Sequence, residues 1–415
     1  MMRTVFGIDV SKHTINLAIV VNKVKVDELK LTLDRPGLDD LLKLLKSFHQ
    51  PEVVFEATGI YSRTLQHFLD CNKFNYTMLN PLTAKKQLDS LRPYKTDRAD
   101  ALNLAQTSFI IHRSLSYKQA PVYEQLHDLS RFYQEVSRDV INHKNRLHRA
   151  LQLTFPQLES LFSNTNNELY WAIVQHFSCP LKVLNISYTE LSSFILNSTN
   201  KVISTNRANH LAKKLLVLAK KAYPVVNDTS YVYEQIQYLT KRIVEEVHEK
   251  DKIITEMQHE AENLPEYNLL LSIPGFGVRT VTSLIGELGD IRRFHSSNAL
   301  NAYIGIDLRH YESGNFVATD HISKRGDAVA RKILFKSIQN IAVASHFHPN
   351  HINDFYQKRK RQSSQHGTKK IAIAAIHRLL RTIYHLVKYN QSYNYQIAKA
   401  YFRIDSYYHS TTHEK

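Results

Sequence analysis

The sequence predicts an α/β domain at the N-terminus, followed by long helices and a mainly helical C-terminal region. Two observations carry this prediction. Only 11 of the 415 residues are glycine, and none lies between Ile60 and Pro274, so the middle of the chain is expected to be largely helical. Ahead of that interval, short apolar runs alternate with stretches of helical spacing, which is typical of an α/β domain.

The N-terminal elements come in the order of a ribonuclease-H-like domain, which has a central mixed sheet with helices on both faces. Three strand-like runs joined by short links, at 3–10, 14–21 and 23–33, predict an antiparallel meander. A helix, a strand, a helix, a strand and two further helices should follow. These elements are expected at 37–48, 52–57, 61–70, 75–79, near 83–91 and from Lys95 onward.

The charge balance favours a polyanionic partner. Lys and Arg number 54 against 38 acidic residues, a formal net charge of +16, and nucleic acid is the simplest polyanion to expect. A basic surface can also serve solubility alone. No apolar run approaches the roughly 20 residues of a membrane span, and a signal-peptide pattern is missing. The two cysteines lack a ligand spacing, so we expect a cytoplasmic, nucleoid-associated protein without a membrane partner.

Two heptad-like seams predict long paired helices in the middle of the chain. The first runs from Val122 to Ala150 and the second from Val232 to Leu264, with steps of mainly four and three residues. These helices could pair as a hairpin within one chain or across a dimer. The stretch between them, 155–225, is helical, polar and irregular, and no chemistry is recognisable in it.

A glycine-containing turn opens the C-terminal region. The stretch 272–289 places Pro-Gly-x-Gly before an apolar helix, as in a helix-hairpin-helix motif, whose free backbone N–H groups and helix N-terminus face a phosphate. An ordinary pair of packed helices would give the same pattern. Basic segments downstream are either a phosphate-contacting surface or a solvated face. The candidate nucleic-acid-binding residues here are Gly275, Gly277, Arg279, Arg378 and Arg381.

Four acidic residues predict a metal site. Asp9 lies in the first strand and Glu56 ends the fourth, which should be its parallel neighbour, while Asp97 and Asp100 share one helix face. Clustered carboxylates repel one another, and divalent cations relieve that repulsion. Mg²⁺, with Mn²⁺ as the alternative, prefers such oxygen ligands, and two ions about 4 Å apart promote phosphodiester chemistry. Each residue alone is explained more simply as a cap or surface charge; together they favour the metal site.

With these residues identified, the chain resembles the D-E-D-D transposases of insertion sequence family 110, the bridge-RNA-guided recombinases. The resemblance covers nearly the whole chain. "GIDVSK", "EATGIY" and "KTDRADALNLA" are similar to the family's RuvC-like N-terminal domain. "IPGFGVRTVTSLIGELGDIRRF", "LNAYIGI", "ESGNF" and "ISKRGDAVARKIL" are similar to its C-terminal transposase domain.

The resemblance implies roles for particular residues. Asp9, Glu56, Asp97 and Asp100 fall on the family's four metal-binding positions. Ser313, in "ESGNF", falls on the serine that links covalently to a DNA phosphate, although the residues alone would make Ser313 part of a turn. Among the residues nearby, Ser323 is interpreted as part of a loop or cap, and Lys324, Arg325 and Arg331 as phosphate-binding residues.

The resemblance also implies partners. These are the DNA of the element's ends and target, a noncoding guide RNA encoded by the element, and further copies of the chain in a dimer or tetramer. In such an oligomer the acidic site of one subunit works with the serine of another. The expected domains are a catalytic domain at 1–115, a helical region at 116–265, a transposase domain at 266–390 and a tail at 391–415.

Three other functions are compatible with parts of the pattern. A RuvC-like junction nuclease would hydrolyse DNA with water and need no serine. An actin-like-fold kinase would also carry an aspartate on its first strand, but it needs a second nucleotide-binding half, and no repeat of the first domain is visible. A catalytically inactive nucleic-acid-binding protein would not require the complete acidic set.

Overall fold

The structure, a computed structural model of the chain, folds into two compact units, Met1–Lys118 and Gln119–Lys415. It describes residues 2–81, 84, 96–199, 202–309, 312–313, 316–317, 321–362 and 368–400. Within these ranges no helix combines the length and the apolar character needed to cross a membrane.

The first unit is built on a five-stranded mixed sheet of order β3-β2-β1-β4-β5. The first three strands form the predicted antiparallel meander, and β1 pairs in parallel with β4, as expected. The predicted helix near 83–91 falls mostly outside the described residues. The strands are Thr4–Val10 (β1), Thr14–Val21 (β2), Val24–Thr32 (β3), Glu52–Glu56 (β4) and Tyr76–Leu79 (β5); the helices are Arg35–Lys46 (α1), Ile60–Cys71 (α2) and Asp97–Thr107 (α3).

Alternate residues of β1 serve two different cores, because successive side chains of a strand point to opposite faces. Phe6 and Ile8 belong to the core that the sheet shares with α1 and α2. Val5 belongs to the smaller core on the other face, together with Leu104 and Ala105 of α3. Helices therefore cover both faces of the sheet, and β1 turns its odd-numbered residues toward α3.

Gly7 allows α3 to lie directly on β1. A Cβ atom at Gly7 would be 2.1 Å from the carbonyl oxygen of Ala101 and 2.7 Å from the backbone nitrogen of Ala105. At the opposite end of the helix, Arg3 Nη2 donates to the carbonyl oxygen of Ser108 at 2.9 Å. Helix α3 is thus antiparallel to β1, and its first turn lies near the C-terminal end of the strand.

The second unit is mainly helical, as predicted. Its described α-helices are Pro121–Thr154 (α4), Glu168–Phe177 (α5), Pro180–Leu184 (α6), Tyr188–Asn197 (α7), Thr205–Lys221 (α8), Val232–Ala261 (α9), Pro265–Leu271 (α10), Val278–Leu288 (α11), Ser297–Ile304 (α12), Ala328–Ala344 (α13), His351–Gln362 (α14) and Thr368–Lys388 (α15). Two-residue strands lie at Leu308–Arg309 (β6), Glu312–Ser313 (β7), Phe316–Val317 (β8) and His321–Ile322 (β9).

The two predicted seams meet within one chain. Helices α4 and α9 pack antiparallel, with His143 Nδ1 2.9 Å from a carboxylate oxygen of Glu246. Lys250, the charged residue on the second seam, places its Nζ 5.3 Å from the centre of the Tyr133 ring. The chain therefore adopts the hairpin alternative, and the apolar stripes of both helices are covered by each other and by their neighbours.

Separate cores lie at the two ends of this helix pair. At one end the helices α5 to α8 bury Tyr170 and Trp171 against the C-terminal part of α4, so the polar stretch between the seams has a core of its own. At the other end α10 to α15 pack around the start of α4 and the end of α9. A hydrogen bond of Tyr393 connects the segment after α15 to this core, since the Tyr393 hydroxyl lies 2.8 Å from His351 Nδ1.

We expect Gly7→Ala to destabilise the first unit by about 1–3 kcal/mol, because the new methyl group would overlap the backbone of α3. Thermal melting followed by circular dichroism measures this effect. Gly277→Ala is the matched control, because no atom lies within 4 Å of the position that its Cβ would take. Equal melting temperatures for the wild type and Gly7→Ala would contradict the close contact.

Candidate catalytic site

The sheet places Asp9 and Glu56 side by side. In the parallel ladder Ile8 pairs with Phe55, so the next residues along the two strands are Asp9 and Glu56. Asp9 comes two residues after Gly7, which faces α3. Glu56 comes two residues after Val54, which belongs to the core on the same face of the sheet as α3. By strand alternation, both carboxylates are directed to the face that α3 covers.

The other two acidic residues occupy the first turn of α3. Thr96 caps this helix, and its hydroxyl accepts a hydrogen bond from the Ala99 backbone nitrogen at 3.2 Å. Asp97 is exposed and Asp100 is half-buried, immediately before the Ala101 that lies against Gly7. Because α3 is antiparallel to β1, its first turn lies at the same end of the unit as Asp9 and Glu56.

The donor set suits a hard divalent cation, since all four residues offer carboxylate oxygens. Arg98, between the two aspartates, has its Nε 3.6 Å from Glu28 on β3. Within the described part of the chain, no three His, Cys, Asp or Glu side chains are grouped closely enough to hold one ion. The structure thus brings the four backbone positions to one edge, and closure of the side chains around an ion stays a prediction.

Ser313 lies at the end of a short hairpin in the second unit. Strands β7 and β8 pair antiparallel, with Ser313 opposite Phe316. From the residues alone Ser313 is expected in a turn; the structure makes it the last strand residue before residues 314–315, which lie outside the described residues.

The second serine of this region, Ser323, makes structural hydrogen bonds. Ser323 Oγ donates to Asp307 Oδ1 at 2.5 Å, and its backbone nitrogen donates to the Asp307 carbonyl oxygen at 2.8 Å. These two bonds tie the segment after β9 to the segment before β6. The arrangement agrees with the loop interpretation of Ser323.

Lys324 and Arg325 are exposed on a tightly anchored turn. Lys324 adopts a positive φ of 53°, and its backbone nitrogen donates to the Gly305 carbonyl oxygen at 2.9 Å. A Cβ atom at Gly326 would lie 2.3 Å from the Tyr303 carbonyl oxygen, so glycine is needed for this approach. The fold therefore holds the backbone of the turn rigidly while both cations face solvent.

Arg331 has a structural contact. Its Nη1 donates to the carbonyl oxygen of Ile304, the last residue of α12, at 2.5 Å. This bond satisfies a carbonyl group that a helix end leaves without an intrahelical partner. A phosphate ligand would have to use the remaining N–H groups of this half-buried side chain.

The two glycines of the Pro-Gly-x-Gly turn differ in environment. Gly275 has a φ of +96°, and a Cβ atom there would lie 2.7 Å from the Ile341 backbone nitrogen on α13. Gly277 is exposed and begins α11 without a side-chain cap, and Arg279 lies exposed beside it, with Nη1 3.4 Å from the Tyr133 hydroxyl. Gly275 therefore serves packing, whereas solvent reaches Gly277 and Arg279.

The two arginines of α15 are also placed differently. Arg378 is half-buried, with its guanidinium 4.3 Å from the centre of the Phe355 ring. Arg381 is exposed and lines a cavity of about 390 Å³ between α15 and the segment that follows it. As i and i+3 residues they are neighbours on the helix, but Arg378 stacks on α14 and Arg381 lies beside the cavity.

A buried acidic network in the second unit was not foreseen from the sequence. Glu287 is fully buried; its carboxylate accepts from Ser130 Oγ at 2.8 Å and from Arg131 Nη2 at 2.6 Å. The same Arg131 Nη2 lies 3.1 Å from Asp327 Oδ2. Burial, followed by a hydrogen bond with Asp327, raises the pKa of Glu287 to about 8. The sequence feature that could have indicated this network is the glutamate within the apolar run "VTSLIGELG".

Asp327 links this network to the Lys324–Arg325 turn. Its Oδ1 accepts from the backbone nitrogens of Val329 and Ala330 at 2.8 and 2.9 Å, and so caps α13. Asp327 Oδ2 lies beside Arg131 of α4. The network therefore fixes the end of the basic turn to α4 and α11.

Comparisons with known proteins identify relatives over nearly the whole chain. Residues 6–156 match the model of the DEDD transposase domain of the IS110 type, and residues 267–357 match that of the "Transposase IS116/IS110/IS902 family". The "Pilin gene-inverting protein" of Moraxella bovis is 23% identical over 405 residues, which is 96% of this chain and 99% of that protein. The "Transposase for insertion sequence element IS1111A" of Coxiella burnetii is 44% identical over 63 residues, 15% of this chain and 17% of that protein.

Glu287 makes stability depend on pH. The folded protein keeps the Glu287 proton up to about pH 8, whereas the unfolded chain loses it near pH 4.5, so unfolding releases a proton between these values. We expect the contribution of Glu287 to be complete below about pH 4.5 and to be lost as the pH rises through about 8. Urea unfolding across this range should show a flatter pH dependence for Glu287→Gln than for the wild type.

Glu256→Gln, at an exposed glutamate of α9, is the matched control and should follow the wild type. Parallel pH profiles for Glu287→Gln and the wild type would show that the buried carboxyl group does not retain its proton.

Proposed function

Because the chain belongs to the IS110 family of transposases, enzymes that recombine DNA by strand transfer, we propose that it excises and inserts its own insertion sequence. The observation that supports this proposal is the packing of α3 on β1 beside β4, which brings the backbone positions of four acidic residues to one edge of the first unit. Ser313, on the hairpin of the second unit, supplies the nucleophile. Both groups lie within the regions that the two family models match.

Asp9, Glu56, Asp97 and Asp100 would hold one or two divalent cations, with Mg²⁺ as the first choice and Mn²⁺ as the alternative. Such ions, when bound, favour deprotonation of an attacking oxygen and neutralise charge on a leaving oxygen. The chain contributes ligands on rigid elements. Two of them lie at the ends of the paired strands β1 and β4, and two lie on a capped helix whose N-terminal dipole stabilises negative charge.

Ser313 makes the covalent step reversible. Its Oγ attacks a backbone phosphorus of DNA, the Oγ–P bond forms, and the bond from phosphorus to one deoxyribose oxygen breaks. The hydroxyl proton passes through solvent to the released deoxyribose oxygen. Attack by the hydroxyl of another strand reverses these events and restores the serine, so no phosphodiester bond is lost to hydrolysis.

The remaining partners belong to the same proposal. A homo-oligomer, dimer or tetramer, would bring the carboxylates of one subunit to Ser313 of another. A noncoding guide RNA encoded by the element would select target and donor DNA by base pairing, which leaves the protein to contact backbones. Lys324 and Arg325 on their rigid turn, and Gly277 and Arg279 at the start of α11, are the described groups best exposed for phosphate contacts.

A second candidate function is inversion of a DNA segment. The match to the pilin gene-inverting protein covers almost all of both chains, including the stretch between the two family models. Inversion would use the same carboxylates and serine on two sites within one DNA molecule. A plasmid with two such sites distinguishes the functions, because inversion keeps the intervening segment and excision releases it.

Ser313→Ala should abolish the covalent protein–DNA adduct while leaving DNA binding close to that of the wild type. Denaturing gels of protein mixed with labelled element-end DNA and Mg²⁺ measure the adduct. Ser323→Ala, which removes the hydroxyl bound to Asp307, is the control and should still form it. An undiminished adduct with Ser313→Ala would exclude Ser313 as nucleophile, and cleaved ends without any wild-type adduct would favour the junction nuclease.

Asp97→Asn and Asp100→Asn should each reduce DNA cleavage by at least about 100-fold, because each replaces a charged ligand by a neutral one. Binding to DNA should change little. Asp39→Asn, at an exposed acidic residue of α1 in the same unit, is the control and should cleave like the wild type. Cleavage at wild-type rates by either variant would contradict the metal-site assignment.

A further inference from the structure

The outer face of α4 carries a continuous polar stripe. Arg138, Asn142, Asn145 and Arg149 recur at intervals of four, three and four residues, which places them within about 60° of arc on an α-helix. All four are exposed. Leu147 lies on the opposite side of the helix and is buried in the core. The stripe therefore faces away from the helix pair and remains accessible along about 16 Å of the helix.

Both charged residues of this stripe are arginines. Two exposed acidic residues, Glu135 and Asp139, lie at its N-terminal end, and the chain has no Asp or Glu from Val140 to Leu158. Within the described part of the chain, neither Arg138 nor Arg149 forms an ion pair with a carboxylate. The cost of exposing several like charges along one helix is offset when a polyanion binds.

The basic residues at the sides of the stripe already have contacts in the protein. Lys144 Nζ donates to Asn166 Oδ1 at 2.5 Å and lies 5.3 Å from the centre of the Trp171 ring. His148 lies 2.6 Å from Glu159. Structural partners thus account for Lys144 and His148, whereas they do not account for the two arginines of the stripe.

The partner helix has a different surface. On α9, Lys252 lies 3.5 Å from Glu249, and Arg242 lies 2.9 Å from Glu245. This mixed pattern of i, i+3 pairs is typical of a solvated helix face. The arrangement on α4 is therefore a property of that helix and not of the pair as a whole.

We infer that the outer face of α4 binds in the major groove of double-stranded DNA. The groove of B-form DNA, about 12 Å wide, admits one α-helix, and arginine and asparagine are the side chains that pair with guanine and adenine edges there. The deep, narrow major groove of A-form RNA does not admit a helix. The stripe spans about five base pairs. This inference rests on the proposed DNA recombination and adds a surface and a mode of contact to it.

The apolar heptad stripe of α4 is already covered by a helix of the same chain. The heptad stripe of α4, which could have joined a second copy of the chain, packs against α9 instead. The four residues of the stripe are polar, although Ile141 and Leu153 beside them are also exposed. Complementarity of charge and hydrogen bonding at the stripe itself therefore favours a polyanion.

The test measures binding of the full-length chain to a labelled DNA duplex by fluorescence anisotropy at several salt concentrations. Arg138→Gln combined with Arg149→Gln should weaken binding at least about tenfold and reduce the slope of log K against log salt by about two. Asn142→Ala combined with Asn145→Ala should reduce the preference among duplex sequences. Lys252→Gln, which removes a paired charge from α9, is the control and should bind within about twofold of the wild type.

The inference is overturned if the double arginine variant binds the DNA duplex as the wild type does. It is also overturned if the variant loses affinity for an RNA duplex of the same sequence to an equal or greater extent. Circular dichroism melting establishes that the exposed substitutions leave the fold intact. Because Ser313 adduct formation is a separate measurement, failure of the DNA-contact test and failure of the proposed nucleophile are distinguishable.

Discussion

The contact between Gly7 and the backbone of α3 is the constraint on which the candidate site depends. Any side chain at Gly7 would overlap Ala101 and Ala105, so the helix can lie on β1 only where the strand has no Cβ atom. The antiparallel direction of α3 then sets its acidic first turn at the ends of β1 and β4. The absence of a side chain at Gly7 thus allows the close packing that positions the four acidic residues.

The strands of the first unit were predictable from the sequence because their signals are local. Alternation over β1 to β3, and the buried run of β4, specify strands and faces, and Asp9 and Glu56 follow from that register. The partner of each heptad seam was not predictable, because an apolar stripe can be buried equally well by a helix of the same chain or of another chain. The Glu287–Asp327 network was missed for a related reason: Arg131 precedes Glu287 by 156 residues and Asp327 by 196, and only tertiary packing brings them together.

The second unit gives rigid support to an exposed basic turn. Gly305 and Gly326 pack closely, Asp307 binds Ser323, and Asp327 caps α13 while facing Arg131 of α4. These contacts leave Lys324 and Arg325 outside on a fixed backbone, near in sequence to the Ser313 hairpin. Buried polar groups with satisfied hydrogen bonds are well suited to this role, because losing one partner leaves the other buried and unpaired.

The central claim is that carboxylates of one subunit act with Ser313 of another. Mixing Asp100→Asn protein with Ser313→Ala protein tests it directly, because each variant lacks a different half of the site. We predict that covalent adduct formation and strand exchange, undetectable with either protein alone, reappear in the mixture. A mixture as inactive as its separate components, although both variants still assemble and bind DNA, would contradict the divided site.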